Sequence, residues 1–317
     1  MRPMRIATIT VAIIAAAAIA AIAGLDGGFA GGKPAAPAEP QQVTLPHTPG
    51  AYVGVYATRV PGSYAGLTAF TAATGVRPGL VVYYSGWREP FQATFAAAVT
   101  RHHATPIVQI DPTDIDVAAI AAGQYDAYLR SYAAAVKAFG ARVILSFGHE
   151  MNGYWYSWGH RHVSPAVFVA AWRHIVTVFR QQHADNVTWL WTVNIIDRRG
   201  DIPSPARWWP GSSYVTWVGI DGYYFKRSWT FASLFGPTIK AVRALTLDPI
   251  LISETAARPE TGQPAKIADL VAGIRAYGLL GFVWFDAVGK FGDWRLISPA
   301  AIAAFARGAK TFQRPAP

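Results

Sequence analysis

The sequence predicts an α/β fold of the (β/α)8 TIM-barrel class, preceded by an export signal and a proline-rich linker. From Ala51 onward, short runs of β-branched and aromatic residues alternate with segments in which apolar residues recur at helical spacing. The alternation continues for about 265 residues, the length expected of a single barrel of this class. A doubly wound open sheet is the alternative. It is disfavoured because the first strand is not followed by the G-x-G-x-x-G turn that holds a dinucleotide.

Composition excludes several classes of protein. The chain has 317 residues, of which 52% are hydrophobic and 15% charged, and this balance indicates a folded chain rather than a disordered one. The absence of cysteine excludes disulfide frameworks, thiol nucleophiles and cysteine-ligated metals. The formal charge is +10, but Lys and Arg are scattered and the longest basic run is Arg198-Arg199. We therefore predict no nucleic-acid partner, since such a site would show as a basic patch or stripe.

Residues 1–30 are predicted to be a signal peptide or a membrane anchor. Arg2 and Arg5 precede Ile6–Ala23, an uncharged stretch of 18 residues rich in Ala and Ile, and several glycines follow it. The stretch reaches the lower limit for a membrane span, but alanine contributes little to insertion, so a cleaved signal is favoured. We expect a secreted, extracellular protein, with a membrane anchor facing the cell exterior as the alternative. Residues 31–48 then form a Pro/Ala-rich linker, and residues 49–317 form one folded domain.

The elements of this domain are predicted in order from the same patterns. Eight strands are expected, at Ala51–Ala57, Leu80–Ser85, Pro106–Asp111, Arg142–His149, Val187–Asn194, Trp217–Tyr223, Pro249–Glu254 and Leu279–Asp286. Helices are expected at Phe91–His103, Gln124–Phe139, Pro165–Gln182, Leu234–Leu245, Lys266–Tyr277 and Pro299–Phe312. Ser164-Pro165 and Ser298-Pro299 are start signals, because serine caps a helix and proline fits its first turn. The connections Ser63–Ala73 and Trp208–Tyr214 are expected to be short or irregular.

Two glutamates stand where a barrel carries its chemistry, at the carboxyl ends of strands. The chain has only five glutamates, and Glu150 and Glu254 close the fourth and seventh predicted strands. Each follows an apolar run, where a carboxylate is costly unless it has a partner or a task. Strands four and seven face each other across the barrel, so the two carboxylates can flank one bond, as glycoside hydrolysis requires. An ion pair at the barrel rim is the alternative interpretation of each glutamate.

Other catalytic motifs are missing. His149-Glu150 is not part of an H-E-x-x-H zinc motif, because Gly153 stands at the required fourth position. No G-x-S-x-G nucleophile elbow is present. His160 and His162 have no third ligand nearby and are interpreted as surface residues. We predict no cofactor and no catalytic metal; a structural calcium ion is left open.

Tryptophans at the strand ends point to sugar binding, since flat ring faces stack on the C–H faces of pyranose rings. Those at or just beyond predicted strand ends are Trp87, Trp155, Trp158, Trp229, Trp284 and Trp294. A second group on helices or inside strands is interpreted as packing, namely Trp172, Trp189, Trp191 and Trp217.

The segment Gly148-His-Glu-Met-Asn-Gly-Tyr-Trp-Tyr-Ser-Trp-Gly159 resembles the acid/base signature of glycoside hydrolase family 26. Members of that family are chiefly β-mannanases, with lichenases and xylanases as minorities. The resemblance implies that Glu150 is the acid/base and that Glu254 is the nucleophile. It also implies that His149 and Trp155 line the site, that Tyr223 hydrogen-bonds the nucleophile and that Trp284 forms a sugar platform. Trp158 and Trp87 complete the residues expected to bind substrate.

These observations together predict a retaining β-glycanase, an endo-β-1,4-mannanase by the family resemblance. It is expected to be a monomer that acts on a polysaccharide by double displacement. The alternatives are a mixed-linkage β-glucanase or xylanase of the same family, or a membrane-tethered enzyme of the producer's own wall glycan. A non-catalytic glycan-binding barrel is a third class, which would keep the tryptophans and lose a carboxylate.

Overall fold

The computed structural model of the chain describes residues 45–197 and 200–312. Eight parallel strands close into a barrel in chain order, each pairing with the next and the last with the first. They are β1 (Tyr52–Ala57), β2 (Leu80–Gly86), β3 (Thr105–Asp111), β4 (Val143–Phe147), β5 (Val187–Asn194), β6 (Trp217–Asp221), β7 (Ile250–Thr255) and β8 (Gly281–Asp286). The predicted (β/α)8 fold class and all eight strand positions are confirmed. The predicted leader, and the linker up to residue 44, lie outside the described residues.

Helices surround the barrel. They are α1 (Ala65–Thr74), α2 (Ala93–Arg101), α3 (Val117–Ala121), α4 (Asp126–Phe139), α5 (Pro165–Gln181), α6 (Phe231–Leu234), α7 (Gly236–Arg243), α8 (Gln263–Ala276) and α9 (Pro299–Ala309). Two short 3-10 turns, Pro205–Trp208 and Ser212–Tyr214, stand where a helix would join β5 to β6, so the irregular connection predicted there is confirmed. The first connection is instead a ten-residue helix, α1. Among the described helices, none has both the length and the hydropathy needed to cross a membrane.

Serine side chains cap the two helices whose starts were predicted from Ser-Pro pairs. The Ser164 hydroxyl accepts a hydrogen bond from the backbone N–H of Val167 and so satisfies one of the free donors at the start of α5. Ser298 does the same for the N–H of Ala301 at the start of α9. In both helices proline occupies the first turn, where its missing N–H costs no hydrogen bond.

Side chains of the strands alternate between the barrel interior and the helix layer. Toward the amino-terminal ends of the strands, apolar side chains fill the interior; they include Tyr52, Leu80, Val82, Ile107 and Trp217. Nearer the carboxyl ends of the strands the interior becomes polar, and Ser146 Oγ lies 3.2 Å from Thr192 Oγ1. A Cβ on Gly219 would lie 2.5 Å from Ser253 Oγ, so glycine leaves room for this polar layer.

The alternation along β8 places Trp284 on the outside of the barrel. Val283 belongs to the interior cluster, whereas the Trp284 ring is fully buried in the helix layer, 5.9 Å from the ring of Phe305 on α9. This geometry contradicts the prediction that Trp284 forms a sugar platform. The residue that faces the carboxyl end of the barrel is its neighbour, Phe285, which stacks on Tyr56 at 4.6 Å.

We expect Trp284→Ala to lower the free energy of unfolding by about 3–5 kcal/mol, because it leaves a cavity between β8 and α9. Denaturant unfolding measures this loss. As a matched control, Phe291→Ala removes an aromatic side chain that is 60% exposed and should change stability by about 0.5 kcal/mol or less. Equal stabilities of the two variants would contradict the buried position of Trp284.

Candidate active site

A left-handed turn after β4 carries Glu150 into the mouth of the barrel. The strand ends at Phe147, two residues before its predicted end, because Gly148 and Glu150 have φ of +54° and +55°. A Cβ on Gly148 would lie 2.9 Å from the Phe168 ring, so only glycine fits there. The N–H of Glu150 still donates to the carbonyl of Thr192, at 3.0 Å, and this bond ties the turn to β5.

The Glu150 carboxyl is buried and held on both oxygens. Asn194 Nδ2, at the end of β5, donates to Oε1, and Trp155 Nε1 donates to Oε2 at 2.9 Å. Burial raises the pKa of Glu150, while the neighbouring His149 charge and these two donors oppose the rise. The result is a carboxyl that keeps its proton to higher pH than an exposed glutamate does, as a general acid requires.

His149 is a cation in this site. Its Nδ1 lies 2.9 Å from Asp111 Oδ1 at the end of β3, and its Nε2 lies 3.1 Å from the Tyr156 hydroxyl. Burial lowers the pKa of His149, but the Asp111 carboxylate, with smaller contributions from Glu150 and Asp221, more than offsets burial and raises the pKa to about 9. At neutral pH both ring nitrogens therefore carry protons, with Asp111 as acceptor of one.

The loop after Glu150 forms an aromatic wall behind His149. Trp158 stacks on Tyr156 with ring centroids 4.3 Å apart, and its Nε1 donates to the His149 carbonyl at 2.8 Å. Because Trp158 is only 2% exposed, it supports His149 and offers no face to a ligand. The prediction that Trp158 binds substrate is therefore contradicted, whereas Trp155 in the same loop is 40% exposed beside Glu150.

Two tyrosines hold Glu254 at the end of β7. The Tyr223 hydroxyl donates to Oε1 and the Tyr84 hydroxyl, from β2, donates to Oε2. Burial raises the pKa of Glu254 to about 8. The two hydroxyls act against that rise, because hydrogen bonds donated to a carboxylate stabilise its ionised form. The Tyr84 ring also lies 5.5 Å from the His149 ring. The side chains around Glu254 are therefore next to those around Glu150.

Asp221 lies between the two glutamates in the sheet. Its backbone is in register with Asn194 on one side and with Glu254 on the other. Ser253 Oγ donates to Asp221 Oδ1 at 2.5 Å, and Oδ2 has no partner among the described residues. Burial, with the nearby Glu150 as a second cause, raises the pKa of Asp221 well above its usual range. A protonated Asp221 adds no negative charge near Glu150 and Glu254.

Exposed aromatic side chains surround the mouth of the barrel. The most exposed ones in the loops after β4, β6 and β8 are Tyr154, Trp155, Phe225 and Phe291. Trp87 is not among them: its ring packs 5.1 Å from Tyr128 and 5.8 Å from Phe147, on the helix side of the sheet. Trp87 is half-buried by this packing, and its role in substrate binding stays a prediction.

The structure thus brings together five of the predicted site residues, namely His149, Glu150, Trp155, Tyr223 and Glu254. The sequence analysis missed four partners that come from other strands or from the loop, namely Tyr84, Asp111, Tyr156 and Asn194. Asp111 and Asn194 carried a usable signal, since each is a polar residue that closes a predicted strand. Within residues 45–197 and 200–312, no group of three or more His, Asp or Glu side chains is placed to hold a metal ion.

Comparison with known proteins places the chain in a family. The profile of glycosyl hydrolase family 26 matches residues 94–258, a range that contains both glutamates. Endoglucanase H of Acetivibrio thermocellus is 31% identical over 273 residues, which are 81% of this chain and 30% of that protein. The chain therefore spans less than a third of this curated relative.

Solved structures show the same fold at low identity. A mannanase of Bacillus subtilis superposes with a TM-score of 0.61 at 18% identity, covering 80% of this chain and 84% of that one. A GH26 β-mannanase of Bacteroides ovatus gives 0.62 at 17%, with coverages of 82% and 89%. A modular endo-β-1,4-mannanase of Cellulomonas fimi gives 0.65 at 16%, with coverages of 82% and 71%.

We expect Tyr84→Phe to raise the pKa of Glu254 by about one unit, because one donor to the ionised carboxylate is lost. Carbon-13 NMR titration of labelled glutamate measures this shift and is practical with five glutamates in the chain. Tyr56→Phe is the control, since Tyr56 is also near Glu254 but stacks on Phe285. Indistinguishable titrations of Glu254 in the two variants would refute the role of the Tyr84 hydroxyl.

Asp111→Asn should lower the pKa of His149 from about 9, because the carboxylate that does most to offset burial is lost. In the native protein the imidazolium should persist as pH rises and be lost only near pH 9. Proton NMR of the histidine rings follows both titrations. Asp114→Asn, at an exposed position of the same loop, should leave the His149 titration unchanged.

Proposed function

The chain belongs to glycosyl hydrolase family 26 and is a glycoside hydrolase, and we propose that it is a retaining β-glycanase that cleaves β-mannan internally. The observation that carries this proposal is the unequal treatment of two buried carboxyls at the mouth of the barrel. Glu150 receives its hydrogen bonds from an amide and an indole, and Glu254 from two tyrosine hydroxyls. Such a difference in environment is how one site keeps an acid and a nucleophile side by side.

In the first step Glu254 attacks the anomeric carbon of the sugar. The bond from that carbon to the leaving oxygen breaks, and Glu150 gives its proton to that oxygen. The hydroxyls of Tyr84 and Tyr223 orient the Glu254 oxygens and stabilise the ionised form that attacks. The product is a covalent glycosyl ester of Glu254 and a free sugar hydroxyl.

In the second step water attacks the same carbon and releases Glu254. Glu150, now ionised, takes a proton from that water and returns to its starting state. The His149 cation is suited to this exchange, because its charge stabilises ionised Glu150 between the two steps. Two inversions at one carbon give net retention of configuration.

We assign substrate binding to the exposed aromatic side chains around Glu150 and Glu254. Trp155 lies beside Glu150, while Phe225 and Phe291 lie on loops after β6 and β8. Ring faces on both sides of the scissile bond suit an extended β-linked chain. Mannan is favoured because the solved structures of similar fold include mannanases from three genera.

β-Glucan is the second candidate substrate. The observation in its favour is sequence identity: endoglucanase H is 31% identical, whereas the mannanase structures are 16–18% identical. The two polymers differ by the orientation of one hydroxyl at carbon 2. A reducing-end assay on mannan, mixed-linkage glucan and xylan discriminates the candidates. Activity confined to glucan or xylan would keep the mechanism and discard the mannanase assignment.

We expect Glu254→Ala to abolish turnover of the polysaccharide. Glu150→Ala should lower it by about 10²–10⁴-fold but spare aryl glycosides whose leaving groups need no proton. Release of reducing ends measures hydrolysis of the polysaccharide, and release of the aryl group measures hydrolysis of the aryl glycosides. Proton NMR of the first-formed product reports whether the configuration is retained. Glu260→Ala is the control, since this exposed glutamate lies outside the site. Full polysaccharide activity in either active-site variant, or an inverted product, would contradict the mechanism.

A further inference from the structure

Positive charge collects at the end of the barrel opposite the glutamates. In a (β/α)8 barrel the helices run antiparallel to the strands, so helix C-termini and strand N-termini share that end. Basic side chains occupy the last turn of α2, α4, α5, α7, α8 and α9, namely Arg101, Lys137, Arg180, Lys240, Arg243, Arg275 and Arg307. Most of them are exposed to solvent.

Residues outside the helices extend this charge. Arg77 and Arg142 lie in the connections that lead to β2 and β4, and Lys310 follows α9. In the connections from a helix to the next strand, the only acidic residues of the described chain are Asp185 and Asp248. We call this end, with the ten cations named here and above, the basic face.

Helix dipoles account for only part of the pattern. A cation in the last turn of a helix is stabilised by the partial negative charge of the C-terminus, and this effect falls off within that turn. Arg77 and Arg142 are outside any helix and gain nothing from that source. Their presence among the helix cations indicates a charged surface rather than a set of separate helix ends.

The basic face also contains a recess and the start of the described chain. A cavity of about 930 Å³ opens there, and its lining includes Arg77, His103, Arg142 and Lys310. Leu45, the first described residue, lines the same cavity. The sequence before Leu45 contains the uncharged stretch Ile6–Ala23.

We propose that the basic face docks on the anionic phospholipid surface of a membrane. Anionic headgroups attract clusters of Lys and Arg within about one Debye length of the membrane surface, roughly 10 Å at 0.1 M salt. An apolar segment and a basic surface are the two signals that together give stable membrane association. A lipid surface fits better than a free polymer, because the sequence that leads into Leu45 at this face contains an uncharged apolar stretch.

This orientation leaves the active site free. Glu150 and Glu254 lie at the carboxyl ends of the strands, so a barrel resting on its basic face points them away from the membrane. A long polymer in solution then reaches the aromatic rim without crossing the lipid headgroups. The proposal does not depend on which glycan is cleaved.

The test is sedimentation of the full chain with phospholipid vesicles. We expect tighter binding to vesicles that contain one-third phosphatidylglycerol than to pure phosphatidylcholine vesicles, by at least about 10-fold at 0.1 M NaCl. The test variant is R101E/K137E/K310E, whose three residues are exposed on the basic face. The matched control, R88E/K226E/K290E, makes the same charge change at exposed positions in loops at the other end.

The phosphatidylglycerol preference should disappear in R101E/K137E/K310E and persist in the control variant, while binding to neutral vesicles stays equal in both. Circular dichroism confirms that all three proteins are folded. The proposal is overturned if both variants lose the preference equally or if neither loses it. It is also overturned if the native chain binds soluble polyphosphate but shows no preference for anionic vesicles, which would indicate an anionic polymer as the partner.

Discussion

The burial of two carboxyls in one barrel mouth is the constraint on which the site depends. A carboxylate removed from water without donors is strongly disfavoured, so each oxygen must find a hydrogen bond within the protein. Glu150 and Glu254 meet this demand with side chains from β2, β5 and the loops after β4 and β6. The donors differ, since an amide and an indole hold Glu150 and two tyrosine hydroxyls hold Glu254. The proposed division of roles between the two glutamates rests on that difference.

His149 and Asp221 limit the negative charge around the two glutamates. His149 sits between the acid Asp111 and the hydroxyl of Tyr156, and its charge balances negative charge on Glu150. Asp221 is closer to the barrel interior, and its burial favours the uncharged form. The mouth of the barrel therefore holds four acidic side chains without four negative charges, which would repel one another.

The two ends of the barrel have opposite characters because the fold separates them. Loops that follow the strands carry acids, cations and the exposed aromatic side chains, whereas the helix ends and the turns that precede the strands carry the ten cations of the basic face. Among the described residues, the connections from a helix to the next strand hold only two acids, so cations outnumber acids at the end opposite the glutamates. The chemistry at one end and the proposed membrane docking at the other can vary independently, since the packed barrel lies between them.

The sequence by itself determined the order of the strands, the helix caps and the position of the two glutamates, because these depend on local pattern and on one rule of barrel geometry. It did not determine the partners of the glutamates: Tyr84 and Glu254 are 170 residues apart, and only closure of the barrel brings β2 near β7. It also misplaced Trp284, since one residue of register decides whether a strand side chain faces the site or the helices. Pattern thus identified the two acids, whereas tertiary packing decided what holds them and which aromatic rings stand beside them.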